Sequence, residues 1–394
     1  MPAENPLFEQ SEYDNRLRRT RDAMSSRGID TLIVSDPSNM NWLTGYDGWS
    51  FYVHQCAVLP MEGNPFCFVR AQDANGGIRT VWMPDEDVHG YDEKLVQNLP
   101  LHPMQELAEV LRERGLATGS IGVEMDNYWY SAMAHAELVR ELPDASLVDA
   151  TGLANWQRAI KSEREIEFMR IAGRIVTKMH EHIFEIIEPG MPKNEMVAEI
   201  FHSGCVGVEG HGGDYPSILP LLPSGADASA PHLTWNDEPF KSGEATFFEI
   251  GGCYHRYHCP TSRTIFLGEP SARFLEVEQA VVEGINAGLE QAKPGNLCQD
   301  VDRAFCDILE SRTGIIKESR CGYSIGLSYP PDWGERTMSL RPGDETVLKP
   351  GMTFHFIPAV WQDDWGMEIT ESFVITDTGC ETLSNVPRQL FVKS

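Results

Sequence analysis

The second half of this chain repeats its own plan. A long run with helical spacing of apolar residues ends at Pro189–Gly190 and is followed by a second helical run carrying Val197 and Phe201; the same succession ends at Pro294–Gly295 and continues with Val301 and Phe305. Each copy then supplies two β-rich runs, near 245–266 and near 353–375. A unit of two helices and a strand pair used twice predicts an internal duplication about a pseudo-twofold axis. Residues on both strand pairs, Glu249 and Glu371 among them, are then expected to converge on a central cleft.

The first 150 residues follow a different pattern. Strands are expected at 30–35, 51–59, 65–69 and 120–124, alternating with helices near 12–27, 103–115 and 131–142, which argues an α/β domain. From Ser162 the apolar positions Ile166, Met169, Ile175, Val176, Met179 and Ile183 recur at helical spacing. The expected organisation is one domain over 1–154 and a second over 162–394, with 155–161 as linker.

Composition narrows the function. With 394 residues the chain is long enough for two cores, and the apolar runs are too short to span a bilayer. A net charge of −27 disfavours nucleic acid and anionic membranes as partners; it suits either good solubility or a salt-loaded cell. No basic, apolar leader opens the sequence, and nine cysteines without a Cys-x-x-Cys pair suit free thiols in a cytoplasmic protein.

Several motifs carry a resemblance across nearly the whole length. They are Asn41-Trp-Leu-Thr-Gly45, Lys161-Ser-Glu-Arg-Glu-Ile-Glu-Phe-Met-Arg-Ile-Ala-Gly173, Ser224-Gly225 leading to Pro231-His232, Ser262-Arg-Thr264, Gly326 and Pro350-Gly-Met352. The chain resembles the prolidase, methionine aminopeptidase and creatinase superfamily. The fold this implies is a creatinase-like α/β domain followed by a pita-bread domain. In the metal-dependent members five side chains hold two divalent cations, and here their positions read Glu249, Pro260, Tyr323, Ile357 and, for the last, the segment Glu368-Ile-Thr-Glu371. Four of the five ligands are replaced. Proline and isoleucine offer no donor to a hard cation, so neither metal nor any other cofactor is expected.

Without a Lewis acid, hydrolysis requires a substrate that carries its own electrophile. An amidinium or guanidinium carbon qualifies, and a peptide carbonyl does not. The resemblance is strongest, at 49–55 and 320–336, to members that open the cyclic amidine of ectoine, which implies ectoine as the small-molecule substrate; creatine, or a non-catalytic peptide-binding role, is the alternative. Carboxylates suit such a cation. Glu249 is expected to be nucleophile or base, with Glu371 and Glu368 as further carboxylates, Glu371 being the closer match to the family's motif. His232 matches the superfamily's proton-shuttling histidine.

The remaining candidates are weaker. Cys253, His255 and Cys259, read along one strand face, have donor types that suit zinc together with Glu249, but neighbours on one strand fan apart; His255 is instead expected as a polar wall and second proton donor. Tyr323 is expected to fill space left by the missing metal, and Trp361 to stack on the amidinium. Arg336 is the preferred holder of a substrate carboxylate, ahead of Arg70, Arg320 and Arg341. By resemblance, the region of Trp49 and Tyr52 reaches the cleft of a partner subunit in a homodimer, which makes these two aromatics substrate contacts.

Overall fold

The computed structural model describes residues 7–394, which form two compact units, one ending at Arg158 and one running from Ala159 to Ser394. Among the described residues no helix is long and apolar enough to cross a membrane.

The first unit is an α/β domain. Its strands are β1 (Thr31–Val34), β2 (Cys56–Pro60), β3 (Phe66–Arg70), β4 (Val88–Tyr91), β5 (Gly119–Val123) and β6 (Ala145–Asp149), in the sheet order β4-β3-β2-β1-β5-β6. Strand β2 runs antiparallel to both β1 and β3, and the other pairings are parallel. Six helices surround it: α1 (Gln10–Ser26), α2 (Pro37–Thr44), α3 (Ala71–Thr80), α4 (Pro103–Glu113), α5 (Ala132–Glu141) and α6 (Leu153–Arg158). Their ends follow local chemistry. The Asp36 carboxylate caps α2 ahead of Pro37, and Gly45 closes that helix at φ 78°, where a side chain would be strained. Ile33, Val58, Phe68 and Ile121 pack against Leu107, Leu111 and Leu138 to form the core.

Two expectations change here. Residues 51–55 are not strand, because β2 begins only at Cys56; the preceding aromatics lie in a turn closed by the Val53 amide on the Ser50 carbonyl. Residues 155–158 belong to α6 rather than to an open linker.

The second unit contains the repeat. Helix α7 (Glu163–Ile186) and helix α8 (Lys193–Val206) precede β7 (Ala245–Tyr254) and β8 (Tyr257–Leu267); α9 (Ala272–Gln291) and α10 (Cys298–Thr313) precede β9 (Gly322–Ile325), β10 (Gly334–Leu340) and β11 (Thr353–Phe356). The chain ends with β12 (Val360–Trp361), β13 (Gly366–Met367), β14 (Glu371–Ile375), β15 (Cys380–Thr382) and β16 (Phe391–Lys393). Sheets ordered β16-β8-β7 and β10-β9-β11-β14-β15 result, with β12 and β13 as a separate ribbon. The long-helix, short-helix, strand-pair succession therefore occurs twice, as the Pro-Gly spacing predicts.

Helix α7 starts with a reciprocal cap in which the Ser162 hydroxyl meets the Glu165 amide and the Glu165 carboxylate meets the Ser162 amide. The other oxygen of Glu165 accepts the Tyr257 hydroxyl at 2.7 Å, pinning the helix start to β8. Glycine lets α7 lie close on β7, since a Cβ on Gly252 would overlap the Ala172 carbonyl. Phe305, Val277, Val281, Phe354, Phe356 and Phe373 fill the core between α9, α10 and the larger sheet.

Candidate active site

Strands β7 and β8 form a regular antiparallel hairpin in which Glu249 lies opposite Ser262. Side chains of paired residues share a face, so Glu249, Ser262 and Thr264 point the same way while Arg263 points the other. A second carboxylate arrives from the segment between β13 and β14. The Glu368 amide donates to the Thr264 hydroxyl at 2.8 Å and that hydroxyl donates to the Glu368 carbonyl at 2.9 Å, which locks the backbone of Glu368 beside β8.

Both carboxylates are buried. The Ser262 hydroxyl faces the Glu368 carboxylate and is the one side-chain donor that lowers its pKa; among the described residues neither Glu368 oxygen has a further hydrogen-bond partner. Burial pushes the Glu249 carboxyl up to about 7. Burial, and then the nearby charge of Glu249, raises Glu368 well above the usual carboxylate range, with the Lys317 ammonium opposing the rise. Two carboxylates so placed cannot both ionise cheaply. Buried acceptors short of donors call for a ligand that brings N–H groups or positive charge.

Tyr323 on β9 stands close enough to Glu249 for that charge to raise its phenol, after the larger effect of burial, so the hydroxyl stays protonated. Its oxygen accepts the Trp333 indole N–H at 2.7 Å and lies 3.4 Å from His355 Nδ1. The other imidazole nitrogen meets the Thr370 hydroxyl at 2.9 Å, and that hydroxyl accepts the Ser262 amide at 2.8 Å. Burial lowers His355 to about 3, so the ring is neutral and acts as a hydrogen-bond bridge. A chain of contacts thus joins Tyr323 through His355 and Thr370 to the strand opposite Glu249.

The other expected residues are distributed differently. Glu371 does not join Glu249: its carboxylate accepts Arg263 Nη2 at 2.8 Å and Arg388 Nε at 3.0 Å, and Arg263 faces the opposite side of β8. His255 occupies the two-residue turn between β7 and β8 at φ 47°, its ring tilted against Phe168 and Tyr254, at the tip of the hairpin and away from Glu249. The turn also reverses face parity. Cys253 pairs with His258 and Cys259 with Gly252, so the two cysteines lie on opposite faces and no zinc site forms from them. His258 is spoken for as well, with Nε2 accepting the Ser217 amide and Nδ1 on the Arg256 carbonyl.

His232 is exposed in the loop after the short 225–229 turn. Arg336 sits exposed at an irregularity of β10, at φ 54° and 4.0 Å from Asp332, whereas Arg320 stacks its guanidinium over the Tyr323 ring at 4.4 Å. Trp361 meets the Lys317 ammonium 4.8 Å from its ring centroid, which places a protein cation where a substrate cation was expected. In the first unit Trp49 and Tyr52 are 55% and 61% exposed, and Tyr52 lines a cavity of about 530 Å³ with His54, Tyr91 and Trp129. Lys317 and His355 are the neighbours of the site that sequence reasoning missed. His355 had one available signal, since it directly follows the Gly351-Met-Thr-Phe354 motif.

Comparison with known proteins decides the family. Residues 167–377 match the model of metallopeptidase family M24, and residues 16–160 match the creatinase/prolidase N-terminal domain. The chain belongs to metallopeptidase family M24. It is 56% identical over 395 residues, with 98% of each chain covered, to the ectoine hydrolase of Halomonas elongata, and 38% identical over 98% of each chain to an uncharacterized hydrolase/peptidase of Sinorhizobium fredii. Among solved structures, a prolidase from Thermococcus sibiricus superposes with a TM-score of 0.83 at 20% identity, covering 96% of this chain and 99% of that one. At that identity the superposition speaks for the shared fold.

The M24 metal pair does not fit this member. Of its five ligand positions, Pro260 and Ile357 carry no donor atom, while Tyr323 and Thr370 are already engaged in hydrogen bonds with Trp333, His355 and the Ser262 amide. Glu249 still offers a carboxylate, but Glu371, the match to the last motif, is taken up by Arg263 and Arg388, and a two-metal centre needs bridging carboxylates around both ions. No reaction step is therefore assigned to such a pair.

Proposed function

We propose that this protein opens the cyclic amidine of ectoine by hydrolysis, giving N-acetyl-2,4-diaminobutyrate. The observation that carries this reading is the pair of buried carboxylates, Glu249 and Glu368, whose carboxyls burial raises and which stand where metal ligands have been replaced, with the Lys317 ammonium and the Ser262 hydroxyl as the only groups that oppose the rise at Glu368. A delocalised amidinium supplies both the N–H groups and the positive charge these acceptors lack. The likeness to the ectoine hydrolase of Halomonas elongata supports the same substrate.

In this mechanism Glu368 receives an amidinium N–H and holds the ring against β8. Glu249, ionised, either takes a proton from the water that attacks the amidinium carbon or attacks that carbon itself, in which case water afterwards adds to the adduct and the bond to the Glu249 oxygen breaks, freeing the carboxylate. The carbon–oxygen bond forms as the carbon–nitrogen π electrons move to nitrogen; the ring carbon–nitrogen bond then breaks, and the departing nitrogen takes up a proton. The protonated Tyr323 hydroxyl donates to the developing charge, and His232, by its place in the family's motif, is the proposed proton carrier. Arg320, beside Tyr323, is the best-placed cation for the substrate carboxylate.

The exposed Trp49 and Tyr52 suit a role at the cleft of a partner subunit in a homodimer, since exposed aromatics mark contact surfaces. Nine free cysteines suit the cytoplasm.

The test is direct. Purified protein is supplied with ectoine, with creatine in parallel, and the release of acetylated diaminobutyrate is followed. Ectoine turnover that falls by at least about 100-fold in Glu249→Gln is the expected result. Creatine turnover without ectoine turnover, or an unchanged Glu249→Gln enzyme, would reject it.

A further inference from the structure

Outside the cleft, three metal-ligating side chains gather where α10 meets β9. Asp302 and Cys306 are four residues apart on α10 and share one helix face, and Cys321 is the last residue before β9. Their donor atoms lie within 4.8 Å of one another, and no other cluster of three such side chains occurs among the described residues. The two sulfurs are 3.8 Å apart, and Cys306 Sγ is 4.0 Å from Asp302 Oδ2.

Asp302 is 3% exposed, and while the Cys321 thiol and amide face its carboxylate, its Oδ1 is left without a well-formed hydrogen bond. A buried carboxylate oxygen beside two thiols needs a cation or a donor. The sulfur separation has a metal's dimensions: zinc–sulfur bonds of about 2.3 Å in a tetrahedron set the sulfurs about 3.8 Å apart. Measured from Cys306, Asp302 Oδ2 at 4.0 Å must move in by about 0.4 Å for a zinc–oxygen bond of about 2.1 Å.

We infer that Asp302, Cys306 and Cys321 form a zinc site that ties α10 to β9. Thiolate donors select a borderline-soft ion such as zinc over magnesium or calcium. Binding needs no oxidant or reductant, because the two thiols release their protons to solvent as the zinc–sulfur bonds form. With the carboxylate and both thiolates charged, zinc and the neighbouring Lys317 ammonium bring the local charge to zero. Cys306 is only half-buried, which leaves a fourth position open to water. None of the three residues occupies an M24 ligand position.

The site bears on the cleft through β9. The Cys321 amide donates to the Leu340 carbonyl and its own carbonyl accepts the Ile357 amide, two residues ahead of Tyr323. Zinc anchors the strand that presents this hydroxyl, without touching the reacting atoms.

The experiment uses the full-length protein, reduced, stripped with a chelator and titrated with cobalt(II) as a spectroscopic probe. Expected are one cobalt per chain, thiolate-to-cobalt charge-transfer absorption in the near ultraviolet, loss of that band in Cys306→Ser and its retention in Glu249→Gln. Zinc loaded beforehand is expected to protect Cys306 and Cys321 from alkylation while the exposed Cys205 still reacts. Absence of the band, its survival in Cys306→Ser, or its loss in Glu249→Gln would overturn the inference. So would a Cys306–Cys321 disulfide in the isolated protein that regains no zinc after reduction. None of these readouts depends on turnover, so failure here leaves the ectoine reading untouched.

Discussion

Arg263 and Glu371 form a fully buried ion pair on the face of β8 turned away from Glu249, with Arg388 as a second partner of the same carboxylate. Arg263 also donates to the carbonyls of Ser262, Thr370, Val386 and Pro387, so it stitches β8 to the chain's last segment. Removing one partner leaves a charge in a dry interior. Glu371→Ala is expected to lower the unfolding free energy by about 3–5 kcal/mol in urea titration. Turnover per folded molecule is expected to stay within about tenfold, because Glu371 does not face the cleft; a loss as large as that of Glu249→Gln, with unchanged stability, would contradict this placement.

Activity is expected to rise with pH through an acid limb near 7. Glu249 must be ionised to act as nucleophile or base, and burial pushes its carboxyl up to about 7. Because burial and the Glu249 charge raise Glu368 well above the usual range, Glu368 stays protonated while Glu249 ionises, and Glu368→Gln is expected to leave the limb of residual activity near 7. A pH–rate profile of both proteins checks this, and a limb moved to lower pH would show that Glu368 carries charge while Glu249 titrates.

The same pair makes stability fall as pH rises. Glu249 has a folded-state value above its ordinary 4.5, so the folded state binds the proton more tightly. That contribution is complete below about 4.5 and is lost as pH climbs through about 7. Glu249→Gln is therefore expected to raise the melting temperature more at pH 8 than at pH 5. Equal shifts at both values would mean that the carboxyl titrates normally.

Tyr323→Phe keeps the ring that fills the space and removes the donor. We expect kcat for ectoine to drop by about 10–100-fold with KM changed less, since the hydroxyl serves the developing charge. The melting temperature by circular dichroism should also fall, because the buried Trp333 indole N–H loses its acceptor at a cost of about 1–3 kcal/mol, and an equal loss through KM alone would assign the hydroxyl to ground-state binding.

Stripping divalent metal is expected to leave kcat for ectoine largely intact, because Pro260 and Ile357 cannot ligate and the carboxylates serve the substrate's cation instead. Metal analysis before and after chelation, alongside turnover, is the measurement. Abolished turnover that returns with manganese or cobalt, in Cys306→Ser as well as in the unmodified protein, would place a metal in the cleft.

Much of this architecture is written in local pattern. The repeated Pro-Gly stops, the helical spacing that starts at Ser162 and the alternation of the first domain are near-neighbour effects, and they were legible because helix period and turn chemistry act over a few residues. Glu249 and Tyr323 were legible too, since each stands at a motif position whose usual ligand has changed.

The partner of Glu249 was not. Glu371 matched the motif better than Glu368, but the two-residue turn at His255–Arg256 sets the face parity of β8, and Arg263 then draws Glu371 to the far side. His355 and Lys317 reach the site from a different strand and a loop, and no spacing in the chain announces that. The amino-acid sequence by itself determined the two-unit plan, the repeat and the loss of the M24 ligands, because these depend on residue identity and short-range order. Only the tertiary structure decided which carboxylates meet, because burial, strand register and the reach of a buried guanidinium are set by segments about 100 residues apart.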